Sequence, residues 1–277
     1  MRMINFARRN FKELIRDPLS LVFEIALPLF LLFIFQQFNI DAYNYKLENF
    51  TPSIILFGFS FITLFTATLI AKDRTSSFLI RLGTSPMKSS DYILGYILSL
   101  LPIVLIQNVL FFLAAIIMGL EFTINIVPTI LVSMIISIFF ISLGILIGSL
   151  VSEKGTGGLG SIVVQLVCFT SGMYFPKDLI GGVFEIICKS LPFEACLNII
   201  QGTLHNDFSN LSAMHIIVFF IYFIVVILLS IITLILSEFI FKLFCSVPIY
   251  IYILGSFFSK KSSNTMIIFF ISNFSFK

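Results

Sequence analysis

Six stretches of this chain are apolar over about twenty residues or more: 19–38, 51–71, 92–118, 127–151, 157–175 and 212–236. About twenty residues in α-helical form is what a hydrocarbon core of about 30 Å requires. Barrel strands would be about ten residues long with alternating polarity, and these runs do not alternate. Composition agrees. Hydrophobic residues make up 58% and charged residues 11% of the 277, against about 45–50% and about 25% in ordinary globular chains. A soluble fold of this length buries only about 75% of its surface, too little to hide so much apolar area. A soluble enzyme, a secreted disulfide scaffold and a disordered tail are therefore excluded. The fold class is an all-α polytopic membrane protein with six transmembrane helices. Four scattered cysteines form no disulfide or metal-ligand pattern, and 35 phenylalanines without a tryptophan reflect coding bias as much as structure.

Lys and Arg distribution sets the orientation. With the N-terminus inside, segments 1–18, 72–91 and 152–156 hold ten basic residues, while the outer segments 39–50, 119–126 and 176–211 hold three. Both termini are expected on the cytoplasmic side. The first apolar run is too long for a signal peptide, and no small-residue cleavage site follows it. Before it, residues 3–16 read as an amphipathic helix. Ile4, Ala7, Phe11, Leu14 and Ile15 recur at helical spacing, and Arg8, Arg9, Lys12 and Arg16 occupy the other side. Such a helix lies in the membrane interface with its bases toward anionic headgroups, unless these residues are only an inside-positive flank. Pro18 breaks it and suits the first turn of the next helix.

Between the fifth and sixth runs, 176–211 holds two apolar clusters, Val183–Cys188 and Phe193–Ile200, divided by Leu191 and Pro192. Each is too short to span, so partial helices on the outer side are expected. The tail, 246–277, carries two apolar pieces of twelve residues, Val247–Phe258 and Thr265–Phe276, around Lys260 and Lys261. Joining them into a seventh span would set two lysines near mid-bilayer, at about 2.5–3.5 kcal/mol each. An interfacial or disordered, dispensable tail is the expectation.

One G-x-G-x-x-G pattern runs from Gly155 to Gly160. A dinucleotide site needs it after a short strand, with an acid about twenty residues on. Here it follows a long span, so a close-packed helix start is the expectation. Nothing supplies the Gly-Lys-Ser/Thr of a phosphate-binding loop, and His205 and His215 lack metal-ligand spacing. Neither catalysis nor a cofactor in this chain is expected, and a modest net charge of +3 gives no reason to expect a nucleic-acid partner. Polar groups within spans are functional candidates. Glu24 lies about 9 Å of helix rise beyond Pro18, within reach of the basic arm or of a substrate path. Gln107, Asn108 and Gln165 either bond across helices or line a passage. Gly144 and Gly148 form a small-xxx-small pair that permits close helix approach.

Three stretches carry a resemblance. One is Arg9-Asn-Phe-Lys-Glu-Leu-Ile-Arg-Asp-Pro-Leu-Ser, followed by Ala26-Leu-Pro-Leu-Phe. Another runs from Ala71-Lys-Asp-Arg through Leu82-Gly-Thr-Ser-Pro86 to Gly95. The third is Ser171-Gly172-Met-Tyr-Phe-Pro176, with Leu191-Pro192-Phe193 after it. In this order and topology the chain resembles the ABC-2 type permeases of ABC transporters over residues 1 to about 245. The resemblance implies a type-2 exporter-like domain: an elbow helix at 1–18, a six-span permease domain at 19–245, and the tail as a departure. It implies a cell-membrane protein, in the bacterial cytoplasmic membrane, that exports drug-like, peptide or lipid-linked cargo. Its partners would be a separate ABC ATP-binding subunit, a second permease as homo- or heterodimer, and the lipid bilayer. The 72–91 loop would then be the coupling element, whereas its residues alone also fit an inside-positive topogenic loop and nothing more. Lys72, Arg74, Arg81 and Lys88 would set register on the ATPase subunit, and Phe78, Leu79 and Ile80 would supply apolar anchors near Pro86.

Two other readings compete. An ion-coupled transporter usually shows broken helices in repeated halves and buried midplane acids, whereas Glu24 is the one acid within a span and no repeat is visible. A non-transporting immunity or anchor protein needs no diagnostic residues.

Overall fold

A computed structural model of the chain describes residues 2–38, 45–76, 89–173, 182–207 and 213–259. Among them the regular elements are all α-helices: α1 (Arg2–Ile15), α2 (Pro18–Gln37), α3 (Leu47–Thr75), α4 (Ser89–Ile117), α5 (Ile126–Leu150), α6 (Glu153–Thr170), α7 (Val183–Ser190), α8 (Pro192–His205) and α9 (Ala213–Ser259). The all-α class is borne out. Four stretches, Leu47–Thr75, Asp91–Ile117, Ile126–Leu150 and Ala213–Leu236, are long and apolar enough to cross a membrane. The other two apolar runs are also helical. α2 covers the first of them over twenty residues, and α6 opens on Glu153, Lys154 and three glycines before its apolar residues begin.

The arm folds as its sequence dictates. α1 ends at Ile15, α2 starts on Pro18, and Asp17 lies between them. Proline has no N–H to leave unpaired at a first turn, and it disfavours helix in the residue before it.

α3 is the hub of the bundle, packing on α2, α4, α5, α6 and α8 and buried along most of its length. Small residues make this possible. A Cβ on Gly144 would sit 2.6 Å from the Thr63 carbonyl oxygen, and one on Gly148 would sit 2.5 Å from that of Ala67. The pair on α5 therefore brings two backbones together without side chains between them. Across the same seam the Thr63 hydroxyl donates to the Phe140 carbonyl at 3.0 Å. The glycine-rich 155–160 stretch is the first part of α6. A Cβ on Gly160 would meet Leu64 Cδ1 at 2.2 Å, whereas Gly157 and Gly158 face open space. The close-packed helix start is borne out, and Gly160 is the residue that needs it.

Between α6 and α9 the chain forms two helices that break at Leu191, with Pro192 opening the second. α7 is the more exposed; a hydrogen bond and the charge of Lys189 hold the Glu185 carboxyl below its usual range. α8 is deeply packed: Cys196 and Ile200 are fully buried, and Phe193 meets Phe139 and Phe140 at centroid distances of 6.4 and 6.0 Å. Gln201 donates to the Asn49 carbonyl at 3.1 Å, His205 Nε2 lies 3.0 Å from Asn49 Oδ1, and Asn125 donates to the Leu204 carbonyl at 3.1 Å. The C-terminal end of α8 is thus tied to the starts of α3 and α5. Cys168, Cys188 and Cys196 are buried and not joined in disulfides among the described residues.

The chain divides into two compact units, Met1–Ile235 and Leu236–Lys277. In the second, the first tail piece is helical as part of α9, which runs to Ser259. The second piece, 265–276, lies outside the described residues.

Candidate functional site

The cluster richest in charge lies at the end of the bundle from which the 72–91 segment leaves. It is built from α1 upward. Phe6, Ala7 and Asn10 are buried against the bundle. Phe6 stacks edge-on to Tyr92 and Tyr96 of α4 at 5.7 and 5.1 Å, and a Cβ on Gly95 would lie 2.4 Å from its ring. Ile4 and Ile15, expected on the apolar side, are exposed beside Arg8, Lys12 and Arg16, and one of the bases has left the polar side.

That base is Arg9. Its guanidinium donates twice to Asp73 near the end of α3, Nη2 to Oδ1 at 2.9 Å and Nη1 to Oδ2 at 3.2 Å. The Tyr96 hydroxyl of α4 donates to Asp73 Oδ2 at 2.8 Å. Arg9 also pairs with Glu13 at 2.7 Å, and Glu13 with Lys72 at 3.4 Å. Asp73 and Tyr96 are each 1% exposed, so a carboxylate that would be costly to bury alone is held by a planar two-bond fork and a hydroxyl. One side chain joins three helices.

Lys72 and Arg74 are not loop residues, as the sequence reading had them: α3 continues to Thr75. The apolar run carries the helix past the expected span end, and its last turn packs on neighbours. Arg74 donates to the carbonyls of Gly148 at 3.0 Å and Val151 at 3.3 Å, which are oxygens left open where α5 ends. Thr75 donates to Glu153 of α6 at 3.0 Å. Both bases are thus engaged within the chain. Phe78, Leu79, Ile80, Arg81, Pro86 and Lys88 lie outside the described residues.

The passage candidates part company. Glu24 in α2 is 2% exposed, and its Oε1 has no hydrogen-bond partner among the described residues. Among the described residues it pairs with no base of the arm. Gln107 is fully buried on α4 against Gly58 of α3, with both amide atoms unpartnered. Asn108 donates to the Ser133 hydroxyl of α5 at 2.8 Å. Gln165 is exposed on α6 and does not share the burial of the other three.

Of the third motif, Ser171 is buried as the C-cap of α6, its N–H bonded to the Val167 carbonyl. Gly172 has φ of +84°, the left-handed conformation that ends helices and that glycine adopts without strain. Pro176 lies outside the described residues. The motif stops a helix.

Asp73, Tyr96 and Glu13 were missed as site residues. The available signal was an acid directly between two bases, Lys72 and Arg74, where an apolar run ends.

The profile of the ABC-2 type transporter family matches residues 3–205, about three quarters of the chain. No curated protein matches it. The chain belongs to the ABC-2 type transporter family, whose domain is a membrane transport component of ABC transporters.

Proposed function

We propose that this member of the ABC-2 type transporter family is the permease subunit of an ATP-driven exporter, working with a separate ATP-binding subunit and a second permease. The Arg9–Asp73–Tyr96 clamp is the observation that carries the reading. It fastens the arm, α3 and α4 to one another immediately before the 77–88 segment. A push delivered to that segment from the cytoplasm reaches three helices together instead of bending one. Basic residues concentrated in 1–18 and 72–91 support placing this end inside, at the bacterial cytoplasmic membrane.

Phe78, Leu79 and Ile80 are the proposed anchors on the ATPase subunit, with Arg81 and Lys88 fixing register. Lys72 and Arg74 act one step back, holding the stem. The cargo reading, whether drug-like, peptide or lipid-linked, draws on the family and on the buried polar groups Glu24, Gln107 and Asn108.

The test is co-expression of the full chain with the ATP-binding cassette protein encoded nearest to it. Wild type is expected to co-purify with that protein. The Leu79→Asp/Ile80→Asp variant should insert equally well and lose the partner. Equal co-purification of the two would refute the assignment of the segment.

A further inference from the structure

Along the outer side of α1 runs a cleft of about 750 Å³, lined by Asn5, Arg8, Arg9, Lys12, Glu13, Arg16, Asp17 and Lys72. We propose that it is a binding site for the phosphate-bearing headgroup of an anionic phospholipid.

Three observations converge on that occupant. The first is charge. Five bases and two acids line the cleft, and Glu13 is already held between Arg9 and Lys72. Arg8, Lys12 and Arg16 have no ion-pair partner among the described residues. They recur at four-residue spacing, so they form one stripe on the helix.

The second is shape. A helix resting on a membrane offers only a row of charges, but here Lys72 of α3 also lines the cleft. The volume falls within the about 300–1,000 Å³ of sites for small ligands. Arg presents a planar fork to phosphate, and Lys a movable point charge.

The third is the neighbouring surface. Ile4 and Ile15, 57% and 50% exposed, flank the basic stripe on the same helix. The cleft also ends at Arg16 and Asp17, directly before α2 begins its apolar run at Pro18. A ligand with an anionic head and apolar tails uses both flanks. A soluble anion has no use for the exposed isoleucines.

The site goes beyond the exporter reading, since it concerns which lipid seats the arm and stands whatever the cargo is. A bound headgroup would lie across Lys72 and the Glu13–Arg9 pair, and so beside the clamp.

The experiment uses the purified full chain in zwitterionic detergent, with lipid retention read by native mass spectrometry. Phosphatidylglycerol and phosphatidylcholine are the probes, and inorganic phosphate is the competitor. Wild type should retain phosphatidylglycerol over phosphatidylcholine, with retention falling as salt rises. The Arg8→Gln/Lys12→Gln/Arg16→Gln variant should lose affinity about a hundredfold, from about fivefold per charge near an anionic surface. The charge-preserving Arg8→Lys/Lys12→Arg/Arg16→Lys variant should keep most of it. If the triple Gln variant does not fold, each single Gln change should still weaken retention about fivefold. The proposal is overturned by equal retention of the two lipids in wild type, or by retention indifferent to salt. It is equally overturned if inorganic phosphate at matched concentration displaces the lipid completely, which marks a soluble-anion site. Loss of the ATPase partner with lipid retention unchanged would assign the surface to protein instead.

Discussion

Breaking the clamp from its two ends should have unequal costs. In Arg9→Met the Asp73 carboxylate, 1% exposed, keeps the Tyr96 hydroxyl as its one side-chain donor among the described residues. Removing the partner of a buried charge costs about 3–5 kcal/mol. In Asp73→Asn the stranded group is Arg9 instead, whose side chain is 35% exposed and still pairs with Glu13. Water and Glu13 screen it, so that loss should be smaller, about 1–2 kcal/mol for weakened charge-assisted hydrogen bonds. Combining Arg9→Met with Asp73→Leu removes both charges and leaves an apolar contact. Such double replacements are often neutral, although the Tyr96 hydroxyl then lacks its acceptor, at about 1–3 kcal/mol. Measured against Arg9→Met and Asp73→Leu alone, the double change should therefore cost less than the two single losses added together, with a coupling of about 2 kcal/mol. Thermal unfolding of wild type and these detergent-solubilised variants, followed by size-exclusion of the folded fraction, reads the order. The reasoning fails if Asp73→Asn is as damaging as Arg9→Met, or if the two effects simply add.

Gly148→Leu should lower the yield of monodisperse protein sharply, since even a Cβ lies 2.5 Å from the Ala67 carbonyl and overpacking costs about 1–3 kcal/mol or more. Gly157→Ala, facing open space, should leave the yield unchanged, and equal losses at both would discredit the α3–α5 seam. Gln107→Leu removes two buried amide atoms without partners, so unfolding should shift little or toward stability; a large destabilisation would mean the amide is satisfied in the membrane. In a cysteine-free background, a membrane-impermeant maleimide outside the cell should label Asp207→Cys and spare Lys154→Cys, and the reverse pattern would invert the topology.

The fold was legible where physics acts locally. Pro18 fixes the break between arm and first span because the ring forbids the preceding turn, and Leu191 with Pro192 does the same between α7 and α8. Apolar length located the helices without any knowledge of their neighbours. The ends of those helices were less legible. α3 outran its apolar run to include Lys72, Asp73 and Arg74, because polar residues remain helical when the helices packed against them supply partners. The same reason hid the clamp. Arg9 belongs with Arg8 and Lys12 by spacing along the arm, and only the position of Asp73, sixty-four residues on, turns it inward. Gln107 and Asn108 were identified as polar residues within a span, yet which one bonds Ser133 and which rests on Gly58 depends on how α4 sits between α3 and α5. Gln165 shows the limit from the other side, since its exposure on α6 leaves no trace in the residues around it.

The central claim is that this chain passes energy from an ATP-binding subunit through the end of the bundle that holds Arg9, Asp73 and Tyr96. Vanadate-sensitive ATP hydrolysis by the co-purified ATPase subunit, measured in proteoliposomes with and without the full chain, tests it most directly. The account predicts a rate that rises when the chain is present and falls back when Leu79→Asp/Ile80→Asp replaces wild type. A rate indifferent to the chain, in liposomes shown to contain both proteins, would contradict it.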